Sequence, residues 1–161
     1  MMYKRKIKGR TNYQKRLELI KSNKPRLLVR KLSKTLVGQV IEYMPDGDKT
    51  LLTVNTKDLT KLGYSGFTRN VPSAYLLGLF LAKKSKEKNL GKEMVPDIGF
   101  HKITKGSIMA AFLKGARDGG IDMKIDEKIF PEEARLNGEH IEKFNSKETI
   151  SNINKIKEKI K

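Results

Sequence analysis

The chain has 161 residues, which is enough for one domain with a hydrophobic core and too few for two comfortable ones. Hydrophobic residues make up 37% and charged residues 33%, which argues against a membrane-embedded chain and against wholesale disorder, and the lack of cysteine excludes disulfides and thiol chemistry. The 35 lysines and arginines outnumber the 18 acidic residues and give a net charge of +17, so composition indicates a polyanionic partner.

The positive charge is concentrated near the N-terminus. Residues 1–34 hold 13 basic residues and a single acid, Glu18. Residues 1–9 show neither helical nor strand periodicity, and we interpret residues 1–10 as a basic arm that a partner orders. Its cations would neutralise RNA phosphates, although a tail that only increases solubility is the alternative. These cations are Lys4, Arg5, Lys6, Lys8 and Arg10.

No apolar stretch of signal-peptide length follows the basic start, so we expect a cytoplasmic protein. The longest apolar run, residues 74–82, is well short of the ~20 residues that a membrane-spanning helix needs. We therefore expect no membrane partner.

A short amphipathic helix is predicted from residue 11 to residue 21. Residues 11–14 fit a capping box, and Tyr13, Leu17 and Ile20 recur at helical spacing. Lys15 and Arg16 fall on the other face, where they could meet a polyanion. Tyr13 has two interpretations, a core residue or a platform on which a base stacks.

Three antiparallel strands are predicted next, at residues 26–31, 35–43 and 50–55. The second connection contains the Pro, Asp and Gly that tight turns favour. Four cations around the first hairpin extend the basic surface beyond the arm. Side chains alternate between the two faces of a strand, so they cannot all point the same way. These candidates are Arg26, Arg30, Lys31 and Lys34.

The second half of the chain predicts mainly helices. After a helical turn at residues 58–62 and a loop, Pro72 opens a central helix that is apolar almost all round. Residues 94–100 predict a fourth strand, in which Pro96 favours an edge or a strand end. The remaining helices are predicted at residues 105–118, at residues 132–137 and, marginally, at residues 146–161.

These elements predict an α/β fold, in which a mixed, largely antiparallel sheet is packed by helices. The sheet consists of the three-strand meander and the fourth strand. The predicted organisation is a basic arm at residues 1–10, one RNA-binding domain at residues 11–140 and a lysine-rich tail at residues 141–161.

The sequence contains no convincing catalytic constellation. Lys105-Gly106-Ser107 superficially resembles a phosphate-binding loop, but the order of residues that nucleotide hydrolysis needs is absent. Lys102 and Lys105 could hold an RNA phosphate at a helix N-terminus, or the segment could be a simple cap. His101 and His140 lie in separate segments and are interpreted as structural. We predict no enzyme, no cofactor, no metal and no small-molecule substrate.

Several stretches, taken in their order and spacing, resemble the archaeal form of the 5S-rRNA-binding protein family of the large ribosomal subunit, numbered eighteen in the universal scheme. The resemblance spans most of the chain. It lies in residues 11–17, 24–27, 47–50, 72–76, 97–99, 104–107, 130–131 and 135–141.

This resemblance implies a mixed α/β domain that docks on 5S rRNA in the central protuberance, with the arm reaching between RNA elements. It also implies large-subunit rRNA and other large-subunit proteins as partners. One departure is Arg69, where the family pattern has Gly before Asn70. Either a backbone conformation that needs Gly is lost there, or Arg69 adds an RNA contact, and both residues are candidates for RNA binding. The alternative function is a nonspecific nucleic-acid-binding or DNA-compacting basic protein, which the same charge would support.

Overall fold

The computed structural model describes residues 4–9, 11–142 and 148–160. The four strands are β1 (Arg26–Lys31), β2 (Leu36–Glu42), β3 (Lys49–Asn55) and β4 (Val95–Asp97). A 3-10 turn lies at Glu127–Ile129. The helices are α1 (Lys4–Ile7), α2 (Tyr13–Ile20), α3 (Thr56–Lys61), α4 (Val71–Glu87), α5 (Ile108–Asp118), α6 (Glu133–Asn137), α7 (Glu139–Glu142) and α8 (Glu148–Ile160).

The strands form one open sheet in the order β3-β2-β1-β4. β1 pairs antiparallel with β2, and β2 pairs antiparallel with β3, which confirms the predicted meander. β4 lies at the edge and runs parallel to β1, with Pro96 opposite Leu27. An edge position tolerates a proline, because only one side of the strand needs ladder hydrogen bonds. The predicted mixed α/β sheet with helices packed on it is thereby confirmed.

The two faces of the sheet have different neighbours. Leu27 and Val29 of β1 are fully buried in the core cluster with residues of α4 and α5. Arg26, Leu28 and Arg30 alternate with them and therefore lie on the opposite, outer face. Lys31 is an even number of residues from Leu27 and Val29 and therefore belongs to the inner face of the strand. The prediction that the hairpin cations do not all share one face is therefore correct.

α4 and α5 pack together across the inner face, and two glycines allow their close approach. A Cβ at Gly78 would overlap the backbone of Phe112, and a Cβ at Gly115 would overlap the carbonyl of Tyr75. α4 is buried on several sides, as its apolar run predicts, and starts at the N-cap Asn70 with Pro72 in the first turn. The layer opposite the outer face is therefore a helix pair in direct backbone contact.

α8 packs against α4, α6 and α7. Its Ile153, Ile156 and Ile160 are buried in the same core cluster as the sheet residues. Its lysines reach neighbouring elements, since Lys157 Nζ donates to Asn137 Oδ1 at 2.6 Å. The division into arm, domain and tail stays a prediction, but helix α8 shares the core.

Three predictions of local structure need correction. Residues 4–7 form a single helical turn, closed by Lys8 N donating to Lys4 O at 3.1 Å, although the segment has no helical periodicity. The cap of α2 is Asn12, whose side chain accepts from Lys15 N, instead of the first residue of the predicted box. β4 ends at Asp97, because Gly99 adopts a φ of +64° that turns the chain out of the sheet.

Candidate nucleic-acid interface

Helix α2 is fastened over the outer face of the sheet by two of its predicted RNA-binding residues. Arg16 makes a bidentate ion pair with Asp48 in the β2–β3 turn, at 2.7 Å from Nη1 to Oδ2 and 2.8 Å from Nη2 to Oδ1. Lys15 Nζ donates to the carbonyl of Gly99 at 2.9 Å. The sequence predicts these cations on a face of α2 directed at a partner, whereas the structure turns both toward the protein's own sheet.

The prediction of a buried apolar face on α2 is wrong for Leu17, the residue at the centre of that face. Leu17 is 57% exposed, while Tyr13 and Leu19 are half-buried and line the space beneath the helix. The ion pair of Arg16 with Asp48 selects this orientation, because a bidentate charged contact fixes the rotation of a short helix more firmly than one apolar side chain.

Arg26 is buried, with only 4% of its surface exposed. Its Nη2 lies 2.6 Å from Asp48 Oδ2, and its Nη1 lies 3.3 Å from Asp97 Oδ2. Two carboxylates offset the cost of removing one guanidinium from water. Asp48 therefore joins α2 to β1, and Arg26 has an internal place that an RNA phosphate does not reach without displacing a carboxylate.

Arg16 and Arg26 stabilise the ionised form of the Asp48 carboxylate. Burial tends to raise the pKa of Asp48, but hydrogen bonds and positive charge from Arg16 and Arg26 outweigh it, and the pKa is lowered from its ordinary value of 3.8. The hydrogen bond with Asp48 also raises the pKa of Arg16, against the effect of burial. Asp48 and Arg16 are therefore both charged at neutral pH.

A groove with a volume of about 620 Å³ lies between α2 and the outer face of the sheet. Thr11 and Asn12, which follow the basic arm, line it together with Arg30 of β1. Arg30 is exposed, and its guanidinium makes no hydrogen bond or ion pair with any residue that the structure describes. The groove thus brings the two residues that directly follow the arm close to Arg30, a hairpin cation with no partner among the described residues.

A second pair of predicted cations meets just beyond the C-terminal end of β1. Thr68 Oγ1 donates to the carbonyl of Lys34 at 2.7 Å, and Arg69 Nη1 donates to the carbonyl of Ser33 at 2.7 Å. These bonds tie the loop before α4 to the β1–β2 turn. Arg69 has an ordinary backbone conformation, so the position does not need Gly. Lys34 and Arg69, both exposed, therefore lie together.

Chain similarity identifies the family to which this arrangement belongs. Residues 1–96 match the family model described as "Ribosomal large subunit proteins 60S L5, and 50S L18". A curated relative, "Large ribosomal subunit protein uL18" of Methanoregula boonei, is 38% identical over 161 residues, which cover 99% of this chain and 92% of the relative. The chain belongs to this family.

Members of this family are structural proteins of the large ribosomal subunit, and the family is not an enzyme family. The resemblance read from ordered short stretches is therefore confirmed at the level of the family. Ribosomal RNA and other ribosomal proteins are the partners that a constituent of the large subunit is expected to have.

Other predicted site residues of this family member lie outside the groove. Asn70 is the N-cap of α4: its Oδ1 accepts from Ser73 N at 2.8 Å and from the Tyr64 hydroxyl at 3.3 Å. Ser107 caps α5 by accepting from Ala110 N at 3.2 Å, as the simple-cap interpretation predicts. Lys102 and Lys105 are exposed in the segment that precedes this cap.

Only part of the predicted arm can be placed. Lys4 and Lys8 are exposed. Arg10 lies outside the described residues, and the side chains of Arg5 and Lys6 are not described. Lys31 is exposed at the end of β1.

Asp48, Gly99 and Phe100 are among the residues of the groove that the sequence analysis did not predict as site residues. Asp48 and Gly99 both stand in stretches that carry the resemblance, but nothing in either stretch shows that they face α2. Phe100 falls within the predicted fourth strand, whereas it follows the turn at Gly99 and is 64% exposed. An aromatic residue directly after a glycine at a strand end is the signal that could have marked it.

Neither a metal site nor a membrane-spanning helix is found among the described residues. Among them, no three histidine or acidic side chains are grouped closely enough to hold a metal ion. Nor does the described part of the chain include a helix with the length and apolar character to cross a membrane.

Proposed function

We propose that this large-subunit protein binds 5S rRNA and helps to attach it to the central protuberance of the subunit. The observation that supports the proposal is the groove, because Thr11 and Asn12, which directly follow the basic arm, line it together with Arg30, whose guanidinium has no partner among the described residues. Arm and hairpin then present one continuous positive surface to the RNA. The family resemblance supplies the identity of that RNA.

The predicted cations divide into two groups by their contacts. Phosphate contacts are assigned to the arm and to those predicted cations that are exposed and have no carboxylate partner within the described structure. The inward-facing residues Lys15, Arg16, Arg26 and Asn70 instead hold the surface in shape. The phosphate-binding group is Lys4, Arg5, Lys6, Lys8, Arg10, Arg30, Lys31, Lys34, Arg69, Lys102 and Lys105.

Affinity and specificity have separate sources in this proposal. Phosphate contacts give affinity that falls with salt, because each contact releases counterions from the RNA. They carry no sequence information, so discrimination has to come from RNA shape and from unpaired bases. A rigid sheet with an attached helix and loop suits shape recognition.

The test is an equilibrium titration of the full chain with a 5S rRNA transcript and with an unrelated RNA duplex of equal length, at several salt concentrations. We expect tighter binding to 5S rRNA at every salt concentration. Equal affinity for both RNAs and for DNA would overturn the proposal in favour of a nonspecific nucleic-acid-binding protein.

A matched pair of double variants locates the surface. Arg30→Gln with Lys34→Gln removes two cations of the proposed surface, and we expect the slope of log affinity against log salt to flatten by about 0.7–0.9 for each phosphate that is no longer neutralised. Lys92→Gln with Lys124→Gln removes the same charge from exposed positions elsewhere. An equal change in both pairs would mean that only net charge matters.

A further inference from the structure

The groove beneath α2 has features that phosphate binding does not use. Its volume of about 620 Å³ falls within the roughly 300–1,000 Å³ typical of ligand pockets. The aromatic side chains of Tyr13 and Phe100 line it, together with the apolar Leu28 and Ile41. A surface that binds only phosphates needs neither an aromatic nor an apolar wall.

Phe100 is held in position by the loop that carries it. Gly99 N donates to Asp97 Oδ1 at 2.9 Å, and Gly99 O accepts from Lys15 Nζ at 2.9 Å. Both hydrogen bonds fix the peptide next to Phe100. Its ring is nevertheless 64% exposed, so a rigid loop presents a large apolar face to solvent. The exposed ring lies beside the apolar Leu28 and Ile41 of the same groove, where a ligand could contact all three.

Arg30 lies against the same glycine. A Cβ at Gly99 would overlap the guanidinium of Arg30, so this close packing depends on glycine. The other two arginines of the groove, Arg16 and Arg26, are neutralised by Asp48 and Asp97. Among the described residues, Arg30 is thus the guanidinium of this groove that no carboxylate neutralises, and it can bind an anion.

We propose that the groove receives one unpaired nucleotide of the bound RNA, with its base stacked on Phe100 and its phosphate beside Arg30. An aromatic ring stacks on any base, and a guanidinium binds a phosphate, so the two neighbours match the two parts of a nucleotide. A paired base hides both of its faces in the duplex, which leaves an unpaired one as the occupant. This inference rests on the function proposed above and adds the part of the RNA that is recognised.

Intrinsic fluorescence gives a direct test, because the chain has no tryptophan. The Phe100→Trp variant carries a single indole in the groove. We expect a 5S rRNA transcript to quench it strongly through stacking. Phe80→Trp is the matched control, since Phe80 lies on α4, on the other side of the sheet, beneath Lys84 Nζ at 4.5 Å from its ring centroid. Its fluorescence should change little.

Affinity measurements separate stacking from simple apolar contact. Phe100→Tyr keeps a ring and should bind 5S rRNA like the unchanged chain. Phe100→Leu keeps an apolar side chain without a π face, and we expect it to bind roughly 5- to 150-fold more weakly, the range for loss of one stacked base. Because Phe100 is exposed, none of these changes should affect folding.

The possible failures are distinguishable. If the unchanged chain prefers 5S rRNA to an unrelated duplex, but Phe100→Trp is not quenched and Phe100→Leu binds normally, the stacking proposal is overturned and the proposed function stands. Equal quenching by a fully paired duplex would also overturn it. Loss of the preference for 5S rRNA in the unchanged chain would instead refute the proposed function. If Phe100→Leu binds RNA normally but no longer binds another ribosomal protein, the groove takes a protein partner.

Discussion

At the scale of single residues, Asp48 is the residue on which the outer face depends. Its carboxylate accepts hydrogen bonds from both terminal nitrogens of Arg16 and from one terminal nitrogen of the buried Arg26. Removing its charge leaves Arg26 with Asp97 as its remaining carboxylate at 3.3 Å. A buried guanidinium that loses a carboxylate is costly, because its charge stays buried while one of the two compensating negative charges is removed.

We therefore predict that Asp48→Asn lowers the free energy of unfolding by about 1.5–3 kcal/mol, the usual worth of a hydrogen bond to a charged group. Urea unfolding followed by circular dichroism measures this. Asp46→Asn is the control, since Asp46 lies in the same turn, is exposed and pairs with no described cation. Its effect should stay within about 0.5 kcal/mol. Equal effects of the two variants would contradict the role of Asp48.

The same residue predicts a pH dependence. Its pKa in the folded chain is lowered below 3.8, so its ion pairs contribute stability above that value and lose it as pH falls through the folded pKa. The difference in unfolding free energy between the unchanged chain and Asp48→Asn should be constant near neutral pH. It should shrink below about pH 4, where protonated Asp48 resembles asparagine. A difference that stays constant down to about pH 2 would refute this.

The sequence identified the cations of this region but not their partners. Arg26 and Asp48 are 22 residues apart, and Arg16 and Asp48 are 32 residues apart. Which cations are neutralised and which stay free depends on how α2 folds back over the sheet. No local pattern encodes that contact, so Arg16, Arg26 and Arg30 look equivalent in the sequence.

At the scale of elements, periodicity located most strands and helices to within two or three residues. It worked well for β1 to β3 because the turns between them carry strong local signals. It failed for the orientation of α2, where Leu17 is predicted to be buried and is exposed. A two-turn helix has few apolar positions, so one tertiary ion pair decides which face is covered.

Helix α8 shows how tertiary packing stabilises a marginal element. Isolated helices of this length are marginal in water, yet Ile156 is 2% exposed in the common core. We predict that Ile156→Ala lowers the free energy of unfolding of the whole chain by about 2–5 kcal/mol in one cooperative transition. Lys155→Ala, at the exposed neighbouring position, should change it by less than about 0.5 kcal/mol. A separate early transition for α8 would show that it folds apart from the core.

At the scale of the whole molecule, most of the net positive charge lies in the N-terminal part of the chain. Residues 1–34 carry 13 basic residues and one acid, and they contribute the arm, α2 and β1. The inner face of the sheet is covered by α4 and α5 and serves the core. In the proposed function RNA binds on the outer side of the sheet, whereas the inner face serves the core, so a surplus of positive charge on the outer side does not disturb the core.

This division predicts the effect of deleting residues 1–10. Their five cations should supply a large share of the phosphate contacts, so the deletion should flatten the salt dependence of 5S rRNA binding by about 0.7–0.9 for each phosphate that the arm neutralises. The unfolding free energy should hardly change, because the described part of the arm is exposed. Filter binding across a salt series measures the slope.

The control removes five charges of the same sign from exposed lysines outside the proposed surface. These are Lys57, Lys86, Lys92, Lys124 and Lys128, each replaced by glutamine. Both changes lower the net charge from +17 to +12, so any long-range effect of net charge is the same in both. A clearly flatter slope for the deletion would therefore locate the contacts in the arm, whereas equal slopes would mean that the arm acts only through its contribution to net charge.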